Sequence, residues 1–114
     1  MDKRKDQRLH VKMYAKLTCG RATSWGILSD VSENGLFLKS IRDFALDAAI
    51  DIEIVMQDNR TSILKGIVKR RIELPEEHRK YGLGIELIKK DCRFMDLLVS
   101  LADYSKNKAV ELVG

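Results

Sequence analysis

Leu9-His10-Val11-Lys12-Met13-Tyr14-Ala15-Lys16-Leu17-Thr18 alternates apolar and polar residues over its whole length. Leu9, Val11, Met13, Ala15 and Leu17 fall on one side, and His10, Lys12, Tyr14, Lys16 and Thr18 on the other. A period of two is that of a half-buried β-strand, because successive side chains point to opposite faces. This reading sets the fold class, since similar segments recur down the chain. Gly20-Arg21 marks a turn, and Thr23 to Leu28 makes a second short strand containing Trp25, the only tryptophan. Asp30-Val31-Ser32-Glu33-Asn34-Gly35 then leads to a third strand through Lys39. Asn-Gly between apolar runs is a hairpin signal, because both residues tolerate positive φ.

Further on, Ala49 to Met56 places Ile50, Ile52 and Ile54 on one strand face, and Asp58-Asn59-Arg60 is a polar hairpin turn. Ser62 to Leu74 is a long β-rich run in which Gly66 suggests a bulge or a bend at a barrel corner. Pro75 opens a charged loop, and Tyr81 to Ile88 returns as a strand with Gly82 and Gly84 on one face. Residues 41–47 are less regular, and a single helical turn is expected there. The period becomes helical only at the end, where Phe94, Leu97, Leu98 and Leu101 form one stripe. Asp91 is its expected N-cap, and helix character fades near Ser105–Asn107. Six strands followed by one helix predict an all-β protein, a six-stranded antiparallel barrel carrying one C-terminal α-helix. The expected organisation is a mobile basic arm over residues 1–8, the barrel and helix over 9–107, and a tail over 108–114.

The chain has 114 residues, 45% hydrophobic and 33% charged, the size and composition of one globular domain. No apolar run approaches the ~20 residues that span a membrane, and the N-terminus lacks the apolar core of a secretory signal. Cys19 and Cys92 stand far apart without neighbouring His or Cys, so neither a zinc site nor a redox pair is expected. Two free thiols and no export signal favour the cytosol.

The net charge of +4 is unevenly distributed. Lys3, Arg4, Lys5, Arg8, Lys12, Lys16 and Arg21 oppose only Asp2 and Asp6 in the first 21 residues, a net of +5, which leaves about −1 for the rest. An anionic partner met near the N-terminus is the physical implication.

Catalytic chemistry has little to stand on. His10 and His78 are isolated, and neither a Gly-x-Ser-x-Gly elbow nor a phosphate-binding Gly-x-x-x-x-Gly-Lys loop occurs. Gly82-Leu83-Gly84 lacks the third glycine and the βαβ setting of a dinucleotide fingerprint. The chain reads as a binding protein, not an enzyme, with no cofactor and no metal.

Arg4 and Arg8 stand four apart just ahead of the first strand. A guanidinium donates paired hydrogen bonds to phosphate or to the O6/N7 edge of guanine. Asp30 offers a carboxylate to guanine N1–H and N2–H, with the Ser32 hydroxyl beside it. Gly35 removes a Cβ from the turn. Each half alone is cheap, because Asx and Ser turns commonly use these residues for their own backbone. Both together, flanking one strand and the next hairpin, can recognise an anion that carries guanine.

Arg4-Lys5-Asp6-Gln7-Arg8 followed by Asp30-Val31-Ser32-Glu33-Asn34-Gly35 resembles the paired signature of PilZ domains, bacterial receptors for cyclic di-GMP. The likeness extends over nearly the whole chain and implies the same barrel-plus-helix fold. By this resemblance Arg4 and Arg8 hold phosphate and guanine edges, Asp30 and Ser32 read guanine, and Gly35 keeps the turn open. Lys3 sits where the family varies, and a long basic side chain there is associated with two stacked nucleotides. The implied function is a cytoplasmic cyclic di-GMP receptor whose arm becomes ordered on binding and presents a new surface to an effector protein. The alternative is a ligand-independent adaptor that uses the barrel only for protein contacts. A small barrel that binds RNA or single-stranded DNA usually interleaves aromatics for base stacking; the first 24 residues hold only Tyr14. No nucleic acid polymer and no membrane insertion is therefore expected.

Overall fold

A computed structural model describes the backbone of residues 8–56 and 58–113, and the side chains of that range as far as Ala102. Six strands form in chain order: β1 (Leu9–Cys19), β2 (Ala22–Val31), β3 (Gly35–Ser40), β4 (Ala49–Val55), β5 (Thr61–Glu73) and β6 (Tyr81–Lys89). One helix, α1 (Cys92–Val113), follows. The strands close into an antiparallel barrel in the order β1-β2-β3-β6-β5-β4. Closure leaves no unpaired sheet edge, so every strand has a neighbour on both sides.

The alternation read from the sequence becomes the inside and outside of this barrel. Ala15 and Leu17 of β1, Leu28 of β2, Leu38 of β3, Ile50, Ile52 and Ile54 of β4, and Leu64 and Val68 of β5 are all buried. Each such Leu, Ile or Val side chain withdrawn from water stabilises the fold by about 1.5–3 kcal/mol before entropy is counted. Phe94 of α1 is fully buried and joins this core, with Leu98, Leu101 and Ala102 packed partly against it.

Asp91 is the cap the sequence indicates. Its Oδ1 accepts from the Phe94 backbone N–H at 2.9 Å and from Ser62 Oγ at 2.7 Å, and its Oδ2 accepts from the Ile63 N–H at 2.8 Å. One carboxylate thus caps the helix and ties it to β5.

Three local expectations are corrected. Residues 41–47 form bends and a turn in place of a helical turn; Asp47 has φ 68° and its N–H bonds Val68 O at 2.8 Å, so pairing to β5 outcompetes helix formation. Arg71 reinforces this segment by a paired contact to the Asp43 carboxylate, the second bond 2.6 Å from Nη2 to Oδ2. Asn34 and Gly35 are absent from the positive-φ residues, which are Gly20, Asp47 and Asn59; the link is a loop over 32–34, not a two-residue hairpin turn. Finally, α1 runs through Ser105–Asn107 to Val113, because Lys106, Lys108, Ala109 and Glu111 are good helix formers and no Pro or Gly interrupts them. No helix among the described residues is long and apolar enough to cross a membrane.

Candidate functional site

Asp30 and Ser32 sit at the end of β2, and the strand register explains how they are presented. In the β2–β3 pairing Leu28 faces Leu38 and Asp30 faces Phe37, so a bulge lies between them. The β1–β2 ladder is irregular in the same region, between His10 and Met13. A bulge kinks a strand and re-aims the side chains beyond it. Asp30 thereby points away from the core, with a quarter of its side chain exposed.

The loop after Asp30 is held on several sides. The Ser32 backbone N–H donates to Gly35 O at 2.9 Å, with the Ser32 hydroxyl 3.4 Å from the same oxygen. Leu87 N–H donates to Asn34 O at 2.9 Å. Lys90 Nζ, from the link between β6 and α1, donates to Glu33 O at 2.9 Å and to Asn34 Oδ1 at 3.2 Å. Gly35 is required by crowding and not by φ: a Cβ there would stand 3.1 Å from Ile85 O of the neighbouring strand. So the local turn role of Ser32 is real, and it coexists with a place in the site.

An open surface cleft of about 390 Å³ lies over this loop, and Arg8, Asp30, Ser32 and Gly35 all line it. The structure therefore gathers four of the six residues singled out in the sequence; Lys3 and Arg4 lie outside the described residues. The opposite wall is made by Lys69, Arg70 and Glu86, which sequence reading did not select. A second bulge puts them there: Val68 pairs with Ile85 and Arg70 with Gly84, leaving Lys69 as the extra residue. Two successive cations then line one cleft, where a regular strand would send them to opposite faces. Gly84 makes room, since a Cβ on it would meet Arg70 Cβ at 3.0 Å. A charged pair next to a long β-run was the available signal, but a bulge position is not readable from periodicity.

The cleft electrostatics are asymmetric. Lys69 lies 3.8 Å from Glu86, and His10 Nδ1 lies 2.5 Å from Asp30 Oδ1 with its own side chain 89% exposed. Arg8 and Arg70 both line the cleft, and among the described residues neither forms an ion pair. Among the described residues three carboxylates are held below their ordinary range, and none lines the cleft. The Arg71 guanidinium holds Asp43 down and that of Arg60 holds Asp58. Burial pushes Asp91 up, but hydrogen bonds from Ser62, Ile63 and Phe94 outweigh it. No cluster of metal-ligating side chains occurs among the described residues. The arrangement, cationic donors beside the Asp30 carboxylate, suits recognition of an anionic ligand.

A protein-family model described as the PilZ domain matches residues 2–102. No curated protein sequence matches the chain. Among solved structures, the PilZ domain with cyclic di-GMP of YcgR from Escherichia coli superposes with a TM-score of 0.71 at 12% identity, covering 95% of this chain and 98% of that one. The inhibitor of motility of Bacillus subtilis, MotI/DgrA, gives a TM-score of 0.71 at 12% identity over 97% of this chain and 53% of its own. The chain thus spans about half the length of the Bacillus protein. At this identity the two likenesses establish the shared barrel-plus-helix fold.

Proposed function

The chain belongs to the PilZ domain family, and from that membership we propose that it is a cytoplasmic receptor for cyclic di-GMP that signals to a partner protein. One observation carries the reading: Arg8, from just before β1, and Asp30, Ser32 and Gly35, from the β2–β3 junction, converge on a single cleft. In this reading Asp30 accepts from guanine N1–H and N2–H, with the Ser32 hydroxyl alongside. Arg8 donates to a phosphate or to the guanine O6/N7 edge. Arg70 supplies a second guanidinium to the phosphates from the opposite wall. Binding requires His10 to leave Asp30, because the imidazole occupies the carboxylate oxygen that guanine needs.

Lys3 and Arg4 complete the proposal as the part of the arm that closes over the nucleotide. Ordering a segment on a ligand trades binding energy for a new surface. The effector reads that surface, and the protein catalyses nothing. Lys3 leads us to expect two stacked nucleotides per chain. The solved Escherichia coli PilZ domain with cyclic di-GMP supports the choice of ligand by family likeness.

Isothermal calorimetry with cyclic di-GMP tests it. The wild type is expected to bind in the micromolar range or tighter, and Arg4→Ala, Arg8→Ala and Asp30→Ala to lose about tenfold or more each, the size of a charge-assisted hydrogen bond. No heat at tens of micromolar, or full affinity in Arg8→Ala and Asp30→Ala, sinks the proposal. A pull-down of the effector with and without nucleotide separates it from the ligand-independent adaptor, for which the two are identical.

A further inference from the structure

The outer face of the β1–β2 hairpin carries an aromatic patch that the nucleotide cleft does not use. Register places Tyr14 opposite Ile27 and Lys16 opposite Trp25. Tyr14 and Trp25 are therefore diagonal neighbours on one face, a spacing aromatic side chains can bridge. Their exposures are 58% and 49%, and Ile41, which follows directly on the Gly26–Ser40 pair, is 52% exposed. A hollow of about 260 Å³ lies at Tyr14, lined by Lys12, Met13, Tyr14 and Ile27. Large exposed rings beside an apolar hollow are the anatomy of a binding hot spot; scattered surface residues do not form one.

Charge identifies the occupant. Between Lys12 and Ser29 the hairpin holds Lys12, Lys16 and Arg21 and no Asp or Glu. None of these three cations forms an ion pair among the described residues, and the nearest acid by register is Glu53, across from Lys16 on β4. A second copy of the chain would bring lysines against lysines. Area argues the same way: two half-exposed rings offer about 200 Å², far below the roughly 800 Å² per partner of a standard interface. The patch is the size of a short peptide segment, and the hollow is the size of one side chain.

We propose that the outer face of the β1–β2 hairpin, centred on Tyr14 and Trp25, docks a short acidic segment of a partner protein that inserts one aliphatic or aromatic side chain beside Tyr14. Lys12 and Lys16 flank the insertion and pair with the segment's carboxylates. The face also abuts the cleft, since Lys12 is the next outward residue after His10, which contacts Asp30. Nucleotide bound at that end becomes part of the docking rim; only this coupling rests on the cyclic di-GMP reading.

The test is a random dodecapeptide display selection on the full chain, with and without cyclic di-GMP. The best synthetic peptide is then titrated while following Trp25, the sole tryptophan. Enriched peptides should combine Asp or Glu with a large apolar residue and shift Trp25 emission to the blue. Tyr14→Ser and Lys16→Glu should each weaken them by about tenfold or more. Calorimetry with the nucleotide is unchanged in Tyr14→Ser, so loss of the docking face and loss of the cleft are read separately. The proposal is overturned if selection enriches nothing, if enriched peptides lack acidic residues, or if Tyr14→Ser and Lys16→Glu bind them normally. Tighter Trp25-dependent binding of oligothymidylate or of phosphatidylserine vesicles overturns it as well, and assigns the face to a nucleic acid or a membrane surface.

Discussion

Replacing Asp91 by Ala is expected to cost about 3 kcal/mol of folding stability. The side chain accepts three hydrogen bonds from two elements: Ser62 Oγ at 2.7 Å, Ile63 N at 2.8 Å and Phe94 N at 2.9 Å. Loss of the helix cap alone costs about 1 kcal/mol. The other two are charge-assisted bonds worth roughly 1.5–3 kcal/mol when buried, and partial exposure brings each toward about 1 kcal/mol. Ser62 is itself fully buried and is left without its acceptor, which keeps the total from falling lower. Against a total stability of about 5–15 kcal/mol, the melting temperature should fall by roughly 10–15 °C. Urea unfolding with an unchanged m-value is the assay. Asp91→Asn keeps one carbonyl acceptor and should lose about half as much. The carboxyl is held below its ordinary value in the folded protein, so its contribution is fully present above the unfolded carboxylate value of about 3.9. It is lost as pH falls through the lower folded value. The gap between wild type and Asp91→Asn should therefore be flat from neutrality to mild acid and close only in strong acid. A loss under about 1 kcal/mol in Asp91→Ala, or a gap that widens in acid, refutes the assignment.

Arg70→Ala should weaken cyclic di-GMP binding by about tenfold or more, and Gly84→Val should reproduce that loss in calorimetry by pushing Arg70 off its place; normal affinity in both removes Arg70 from the site. His10→Ala should tighten the nucleotide by a few-fold, since the imidazole no longer competes for Asp30 Oδ1; weaker binding would instead make His10 a ligand contact. Lys90→Met removes two hydrogen bonds from the loop at Glu33 and Asn34 and should cost about fivefold in affinity, roughly 1 kcal/mol, while Lys90→Arg retains most of it.

The fold was legible because each strand buries one face, so alternation in Leu9–Leu17 and in Ile50–Ile54 reports the barrel wall directly. The candidate site was half legible. Asp30 and Ser32 are two apart on an outward-turning strand end, and that spacing is visible in the chain. Lys69 and Arg70 are adjacent in sequence, and the rule that exposes the strands assigns neighbours to opposite faces; only the bulge in β5 breaks it. Gly35 lacks the positive φ expected of a hairpin turn, and its close neighbour, Ile85 O, belongs to a strand fifty residues away in sequence. Such a contact leaves no local trace. Trp25 shows the converse: an aromatic in a strand reads as core, and only the register turns it outward beside Tyr14.

The barrel interior also limits how a signal can leave the cleft. Leu28, Leu38, Leu83 and Ile85 lie directly beneath the site-bearing strands and are all but completely buried. A core packed this closely resists rearrangement, because any shift costs contact on every side. The parts that can respond lie on the surface: Arg8 just before β1, the His10–Asp30 contact, and the loop strapped by Lys90. Two of these abut the β1–β2 outer face, while the third leads through Lys90 to Asp91 and the start of α1. A ligand bound at Asp30 therefore has two exits, across the hairpin to Tyr14 and Trp25 or along the link to the helix. Hydrogen exchange distinguishes them, since the first protects amides near Lys12 and the second those near Phe94. In the proposed complex the larger charge change lies on the hairpin side, where Arg8 lines the cleft offered to the dianionic nucleotide. Coulombic effects fall off over about a Debye length of 8–10 Å, which spans the few residues from Asp30 to Lys12. The hairpin face is thus the exit that the nucleotide's charge favours.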